Sequence, residues 1–404
     1  MVSQQEKSIA IVVCSWPPQG GGIGNNAYYQ AIKLAERGYP VGVFTPNFSG
    51  LEPISGSAEL FKMKTVCHWG KAGFMFGLLK QLKAYRIVHL YYPFFGSDLL
   101  VWWQKRINPK TKLFLHYEMD PIGEGIKSWI FWLYLKLFLG RLIRAADKIG
   151  VLSFDHARNS YLAPYLQIWP EKFVELPNGV DTEIFRPLAK DAELMKLNKI
   201  SVQDKVLIFV GGLDRQHYFK GVPILLSAFK MLPQHYFPDV LDGEVRRGRL
   251  QELRGEAKLL IVGDGDCRAQ FESQAKKLGI ADRVIFAGWV RNEALPRYYA
   301  LADVFVLPST AKTESFGIVA AEAQACGLAA AVADWPGVRS TIIDGRTGYL
   351  VEPSNADDLA AKLKLLLNDG KTCRAFGEVG RSRAIEKYDW SRVLDNLEKI
   401  YEQL

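Results

Sequence analysis

Glu314 and Glu322 stand eight positions apart, astride a Phe316-Gly317 pair. From Ile318 onward the small residues read as a helix. Just upstream, residues 302–309 (Ala302-Asp303-Val304-Phe305-Val306-Leu307-Pro308-Ser309) read as a buried strand running into a loop. Strand, loop and helix start in succession present backbone N–H groups and the positive end of the helix dipole, a place to hold an anion. Glu314 falls at the mouth of that place and Glu322 about two turns into the helix. Carboxylates so placed accept hydrogen bonds from sugar or ribose hydroxyls, so the expected chemistry is recognition of a phosphorylated sugar compound.

Other segments carry chemistry of the same kind. Residues 211–221 contain Gly211-Gly212, Arg215 and Lys220-Gly221 directly after a strand-like run. A planar guanidinium and a compact ammonium are suited to a diphosphate, although both residue types are also common on ordinary surfaces. Residues 17–24 (Pro17-Pro18-Gln19-Gly20-Gly21-Gly22-Ile23-Gly24) lie between a first strand and a helix expected from near Asn25. The glycines there admit close backbone approach to a ligand or simply a tight turn. Their spacing is not Gly-x-Gly-x-x-Gly, which disfavours hydride transfer on a dinucleotide. Asp264-Gly265-Asp266 reads as a strand–helix turn whose aspartates cap the following helix, in preference to a cation site. His116 ends a predicted strand, with Glu118 and Asp120 just beyond it, and His89 occupies a similar position. Such a histidine is either a hydrogen-bonding group in a cleft or a satisfied structural residue.

The elements that must hold these residues are legible as a pattern. Apolar runs near 8–14, 40–45, 86–91, 111–116, 147–152 and 172–176 alternate with helix-length amphipathic segments. A second set follows near 205–211, 257–262, 283–286, 303–307, 328–333 and 348–351. Two such sets predict two doubly wound α/β domains with parallel sheets, whose ligands bind beyond the C-terminal strand ends. A turn-rich linker, 176–187, separates them. The boundaries expected are 1–187 and 188–388, with 389–404 returning to the first domain. Residues 234–256 read as a surface excursion.

A chain of 404 residues with 49% hydrophobic and 23% charged residues is globular and too long for one core. Five scattered cysteines without a Cys-x-x-Cys pair argue against a disulfide framework or structural zinc and fit a reducing cytosol. Residues 9–14 read as a first strand and not as a signal segment, and no run is long enough to span a bilayer. Residues 1–190 carry 22 Lys+Arg against 14 Asp+Glu, so the whole formal excess of +8 lies in this half. That bias suits anionic lipid or an anionic acceptor, and equally a solvated basic surface. The aromatic segment 129–143, with residues 74–80, is either an interfacial helix or a core helix.

Together these motifs resemble the retaining, nucleotide-sugar-dependent glycosyltransferases of family 4, with the GT-B fold of two Rossmann-like domains facing a central cleft. The resemblance rests on Glu314-(x7)-Glu322 around Ser315-Phe316-Gly317, on 177–181 (Pro177-Asn178-Gly179-Val180-Asp181) and on Lys220-Gly221. Residues 302–309 and 344–351 add to it, and it covers nearly the whole chain. It implies transfer of a hexosyl group from a nucleoside-diphosphate sugar to a glycan, lipid-linked or small-molecule acceptor, with retention of anomeric configuration, in cell-envelope polysaccharide synthesis.

By the same resemblance, His116, Glu314, Arg215 and Lys220 are the catalytic candidates. Gly22, Ile23, Gly263, Trp289, Val290, Ser315, Phe316, Gly317, Ile318 and Glu322 are the donor-binding ones, with Glu322 on the ribose and Gly263, Trp289 and Val290 beside the base. Glu118 and Asp120 are the acceptor-side candidates. Domain closure is expected to exclude water, and no metal or other cofactor is expected. Neither is nucleic acid; contact with the inner face of the cell membrane is. A GT-B nucleotide-sugar isomerase or epimerase and a catalytically silent binding subunit are the alternatives. Two departures are visible: the basic pair Arg215 and Lys220 sits in a longer loop than the family's, and Ala329 replaces the family's common proline.

Overall fold

A computed structural model describes residues 8–17, 21–47, 58–69, 72–121, 125–236 and 255–404. The chain divides into two compact units, 1–179 with 391–404 and 180–390. The linker residues 180–187, expected with the first domain, are tied into the second unit. Arg381 Nη1 donates to the carbonyls of Thr182 (3.0 Å), Phe185 (2.8 Å) and Ala325 (2.8 Å). Val180 N–H donates to Tyr388 O at 2.7 Å, and Val180 O accepts from Trp390 N–H at 3.1 Å. The return of the chain to the first unit accordingly begins at Ser391, two residues beyond the expected Asp389.

In the first unit, β1 (Ile9–Val12), β2 (Val41–Pro46), β3 (Glu59–Met63), β6 (Ile87–Tyr92), β7 (Lys112–Tyr117), β8 (Lys148–Val151) and β9 (Phe173–Glu175) form a sheet in the order β3-β2-β1-β6-β7-β8-β9. Every neighbouring pair is parallel. Each residue of β1, β2 and β6 is buried, which is why these strands read as unbroken apolar runs. The pattern missed β3 and the small hairpin of β4 (Thr65–Trp69) and β5 (Ala72–Met75). β3 is an edge strand whose Glu59 and Lys62 face water, so its run is broken by charge.

A continuous helical rod runs from Ile126 to Ala145. Leu135, Leu139, Leu142 and Ile143 enter the core, while Trp129, Trp132 and Leu137 are 62%, 47% and 46% exposed. The rod thus buries one set of its side chains in the core and leaves another, rich in aromatic rings, exposed.

In the second unit the sheet order is β11-β12-β10-β14-β15-β16, with β13 also on β12. The strands are β10 (Lys205–Val210), β11 (His235–Tyr236), β12 (Gly255–Val262), β13 (Val284–Gly288), β14 (Val304–Leu307), β15 (Ala329–Ala333) and β16 (Gly348–Val351). All pairs are parallel except β11 with β12. Most of the expected surface excursion, 237–254, lies outside the described residues, flanked by β11 and β12. Among the described residues no helix is long and apolar enough to cross a membrane.

Candidate active site

Three loops in the second unit leave the C-terminal ends of β10, β12 and β14 and pack on one another so closely that glycine is obligatory at the contacts. A Cβ on Gly263 (φ +141°) would lie 1.9 Å from Gly211 O, and one on Gly221 (φ +80°) 1.9 Å from Pro308 O. Thr310 N–H and Oγ1 both bond Phe219 O, at 2.6 and 3.1 Å. The turn 215–221 is thereby pinned to the loop that carries Glu314.

Lys220 lays its stem over Gly211 and donates from Nζ to Glu314 Oε2 at 2.7 Å. The two side chains are only 12% and 13% exposed, so this pair is shielded from the water that weakens surface ion pairs. Beside them Gly317 (φ +74°) caps the helix Ile318–Ala325; a Cβ there would press on Val338 and Leu307. Ala320 N–H already donates to Gly317 O at 2.8 Å, so the N–H groups ahead of it, on Ile318 and Val319, are the ones without an intrahelical acceptor and available to an anion.

Glu322 is the fifth residue of this helix, little more than one turn in, and not two turns as the sequence suggested. It is buried and accepts from Tyr299 Oη at 3.2 Å. Burial pushes its carboxyl up to about 7, against the smaller opposing pulls of the Tyr299 hydrogen bond and the Lys220 charge. Ser315 and Phe316 are buried, Phe316 edge-on to Tyr388. Gly263 N–H bonds Gly288 O at 2.8 Å, which brings Gly263 next to Trp289-Val290; Trp289 is 71% exposed.

Arg215 is not gathered with Lys220. Its side chain is 89% exposed and lies 3.7 Å from Asp266, whose Oδ1 also accepts the Arg215 N–H at 3.0 Å. The aspartates of 264–266 do not cap the next helix: Cys267 holds that position without a side-chain capping bond, while Asp264 accepts from Gly265 N–H at 2.8 Å. Asp266 instead secures the turn that carries Arg215.

The first unit gathers a second cluster at the C-terminal ends of β6 and β7. The helix Gly21–Glu36 starts four residues before the expected Asn25, so Gly22 and Ile23 occupy its first turn. Residues 18–20 of the glycine-rich segment lie outside the described residues. A Cβ on Gly24 would meet Ser15 O at 2.9 Å, whereas one on Gly22 would meet nothing, so packing requires only the former.

His116 sits within β7, fully buried. Burial pushes its imidazole down to about 3, the Leu176 backbone opposing weakly. Glu118 is buried as well and accepts from Asn26 Nδ2 at 2.7 Å. Burial pushes its carboxyl up to about 7, and hydrogen bonds from Asn26 and Asn178 pull it back. Asp120 turns elsewhere, accepting from Tyr117 Oη (2.6 Å) and Tyr161 N–H (3.3 Å). His89 lies inside β6, not after it; its Nε2 is 3.1 Å from His116 Nδ1 and its Nδ1 2.6 Å from Tyr401 Oη. Asn26, Tyr299 and Tyr401 escaped the sequence reading because no local spacing marks them, and Asn178 was legible only as part of the 177–181 linker, not as a partner of Glu118.

Residues 190–383 match the family of group 1 glycosyl transferases and residues 20–184 glycosyltransferase family 4. A D-inositol 3-phosphate glycosyltransferase of Geodermatophilus obscurus is 32% identical over 65% of this chain and 53% of its own. A GDP-mannose-dependent alpha-(1-6)-phosphatidylinositol monomannoside mannosyltransferase of Mycobacterium tuberculosis is 25% identical over 96% of both chains. The chain spans 53% and 64% of the length of two curated relatives it matches at 32% and 30% identity. Among solved structures, a sucrose-phosphate synthase from Thermosynechococcus elongatus shares the fold, with a TM-score of 0.74 at 22% identity over 98% of both chains. With one family matched on each unit and a parallel α/β sheet in both, the chain belongs to the GT-B glycosyltransferases of family 4.

Proposed function

We propose that this protein transfers a hexosyl group from a nucleoside-diphosphate sugar to a glycan, lipid-linked or small-molecule acceptor, with retention at the anomeric carbon. The observation that carries the reading is the shielded Lys220–Glu314 pair beside the start of the helix Ile318–Ala325. Without ligand each charge neutralises the other. An arriving diphosphate takes Lys220 and the helix N–H groups, and the released Glu314 carboxylate turns to the donor sugar. Negative charge growing on the departing diphosphate is then met by preformed donors, the arrangement that lowers a barrier most. Arg215 adds an exposed cation at the rim. Glu322 accepts from the ribose, and Gly263, Trp289 and Val290 border the base. His116, held neutral, serves as a hydrogen-bonding group and not as a charged acid; Gly22, Ile23, Glu118 and Asp120 keep their expected donor- and acceptor-side roles. No metal takes part in the scheme.

The relatives' names make GDP-mannose with an inositol lipid the first pair to test. A ligand that binds only the folded state raises its stability by about 2.7 kcal/mol at a hundredfold excess over its Kd. GDP, UDP and ADP are therefore to be compared by thermal shift. Turnover of the corresponding α-linked sugar is then to be followed by proton NMR of the product's anomeric signal. No stabilisation by any nucleoside diphosphate, or a product of inverted configuration, would sink the reading. Binding without turnover would favour a silent subunit.

We also propose that the first unit docks on an anionic membrane surface. A basin of about 1240 Å³ opens at the N-terminal edge of β7 and β8, lined by eight basic side chains against one acidic one, Asp147. Lys105 is committed to Asp147 at 2.8 Å and Lys172 to the helix-end carbonyls of Arg144 and Ala146, at 2.7 Å each. Arg106, Lys112, Lys136 and Arg144 face the basin, exposed Leu137 lines it, exposed Trp103 and Ile107 adjoin lining residues in sequence, and exposed Trp132 lies under Lys136. Cations with interfacial tryptophans suit lipid headgroups better than a soluble anion.

A further inference from the structure

We propose that Tyr401 and His89 are positioning residues that hold His116 in the tautomer with its proton on Nε2, so that the C-terminal helix takes part in the chemistry of the first unit. The inference rests on the transferase reading above only in giving His116 a role; the tautomer itself stands on geometry.

The three side chains form one buried line. Tyr401 Oη lies 2.6 Å from His89 Nδ1, and His89 Nε2 lies 3.1 Å from His116 Nδ1. All three residues are buried. Tyr401 belongs to the helix Trp390–Glu402, 312 positions from His89. The Tyr91 ring stacks on His89 at 4.7 Å and 2°, and Phe114 meets it edge-on, so the His89 ring plane is fixed.

The direction of the line follows from proton counting. A tyrosine hydroxyl has one proton, and among the described residues this hydroxyl has His89 as its hydrogen-bond partner. If it accepted from His89, its own proton would be stranded in the core, a costly state. It therefore donates to Nδ1. A neutral His89 then carries its proton on Nε2 and donates to His116 Nδ1. A neutral His116 must carry its own on Nε2, the ring nitrogen left without a hydrogen bond of normal geometry. The charged and titratable groups around the line are Glu118, whose Oε1 is 3.7 Å from that nitrogen, Tyr91, which donates to Gln30, and Tyr39 near Tyr401. The Glu118 oxygen that faces Nε2, Oε1, is the one that accepts from Asn26 Nδ2 at 2.7 Å, so it meets His116 as an acceptor; Tyr91 spends its proton on Gln30, and neither reverses the line. His116 thus presents an N–H donor to whatever oxygen approaches it, and cannot act as a base from Nε2.

The test is nitrogen-15 NMR of the full chain with labelled histidines, six in all, assigned with His116→Gln. His116 should show a protonated Nε2 and a bare Nδ1. Tyr401→Phe removes only the hydroxyl, so His89 loses its fixed donor and both rings should show mixed tautomers. Turnover should fall about tenfold in kcat with donor KM unchanged, the scale of one neutral hydrogen bond. His89→Gln, whose amide can still donate to His116, should retain more activity than His89→Phe. A His116 protonated on Nδ1 in the parent overturns the proposal, and so does a Tyr401→Phe spectrum and kcat identical to the parent's. A parent that turns over no nucleotide sugar overturns the transferase reading instead, while the spectra still decide the tautomer.

Discussion

Lys220 and Glu314 meet at 2.7 Å from loops that follow two adjacent strands, 94 positions apart in the chain. The contact survives because Gly221 lets its backbone lie against Pro308, where any side chain would collide. Lys220→Ala should lower kcat about 10²–10³-fold, the scale of losing one preorganised charge-stabilising donor. Glu314→Gln keeps the shape and removes the counter-charge. It should bind free nucleoside diphosphate more tightly than the parent, since Lys220 no longer has to leave a partner, while turnover falls. Calorimetric titration against kinetics on the same preparations separates the two effects. Weaker diphosphate binding by Glu314→Gln would show that the pair does not open on binding.

Gly317 and Gly221 hold left-handed conformations, with φ of +74° and +80°, and each faces a neighbour that a Cβ would strike. Gly221→Ala should be the worse of the two. Its clash is with the Pro308 carbonyl, fixed backbone, whereas Gly317→Ala presses on the Val338 and Leu307 side chains, which can shift. Backbone strain of this kind costs of order 1–3 kcal/mol before the clash is counted. Denaturant midpoints of the two variants check the order.

Glu322 makes a pH prediction whose sign can be worked out. Its carboxyl rises from 4.5 to about 7 on folding because of burial. Between those values the folded state holds a proton that the unfolded state has lost. The resulting stability is present below 4.5 and vanishes as pH rises through about 7. Glu322→Gln has no such dependence, so its melting temperature relative to the parent should climb from pH 5 to pH 8. The full swing is on the order of 3 kcal/mol for a shift of this size. A constant offset between the two melting curves across that range would mean that Glu322 is not the buried acid described here. The same variant should lose donor binding through the ribose.

How far the sequence carried this reading depends on the kind of residue. Glu314, Lys220, Gly221 and Gly317 were legible because charge and backbone geometry restrict each to one residue type at a recognisable distance from a strand end. The parallel strands were legible for the same reason that they are buried, as continuous apolar runs. Edge strand β3 was not, since two charges in five residues, Glu59 and Lys62, interrupt its apolar run. Partners joined only in three dimensions were invisible. Asn26 reaches Glu118 across 92 positions and Tyr401 reaches His89 across 312, and no periodicity encodes either. Arg215 shows the converse error. Its proximity to Lys220 in sequence suggested a pair, but the turn between them points the two side chains to different neighbours.

Because the scheme meets the leaving diphosphate with Lys220 and helix N–H groups, turnover should persist after exhaustive treatment with EDTA. Loss of activity restored by magnesium or manganese would require a different account of charge neutralisation at the departing diphosphate.

The basin at the start of β7 and β8 makes the last prediction. Arg106, Lys112, Lys136 and Arg144 come from separate places, the end of one helix, the first residue of β7 and two positions on the rod 126–145, yet open on one hollow. A headgroup contact near a membrane surface is worth about 1 kcal/mol per basic residue and fades beyond a Debye length. Reversing Arg106, Lys136 and Arg144 to glutamate should therefore abolish flotation with vesicles rich in phosphatidylglycerol. Such a variant should still turn over a water-soluble acceptor, since β7 carries His116 toward its opposite end. Trp132→Ala, which removes an exposed ring stacked under Lys136 at 4.9 Å, should weaken flotation even at high salt, where the charge contribution is screened. Binding of a soluble polyphosphate with no affinity for vesicles would overturn the membrane reading and reassign the basin to a free polyanion.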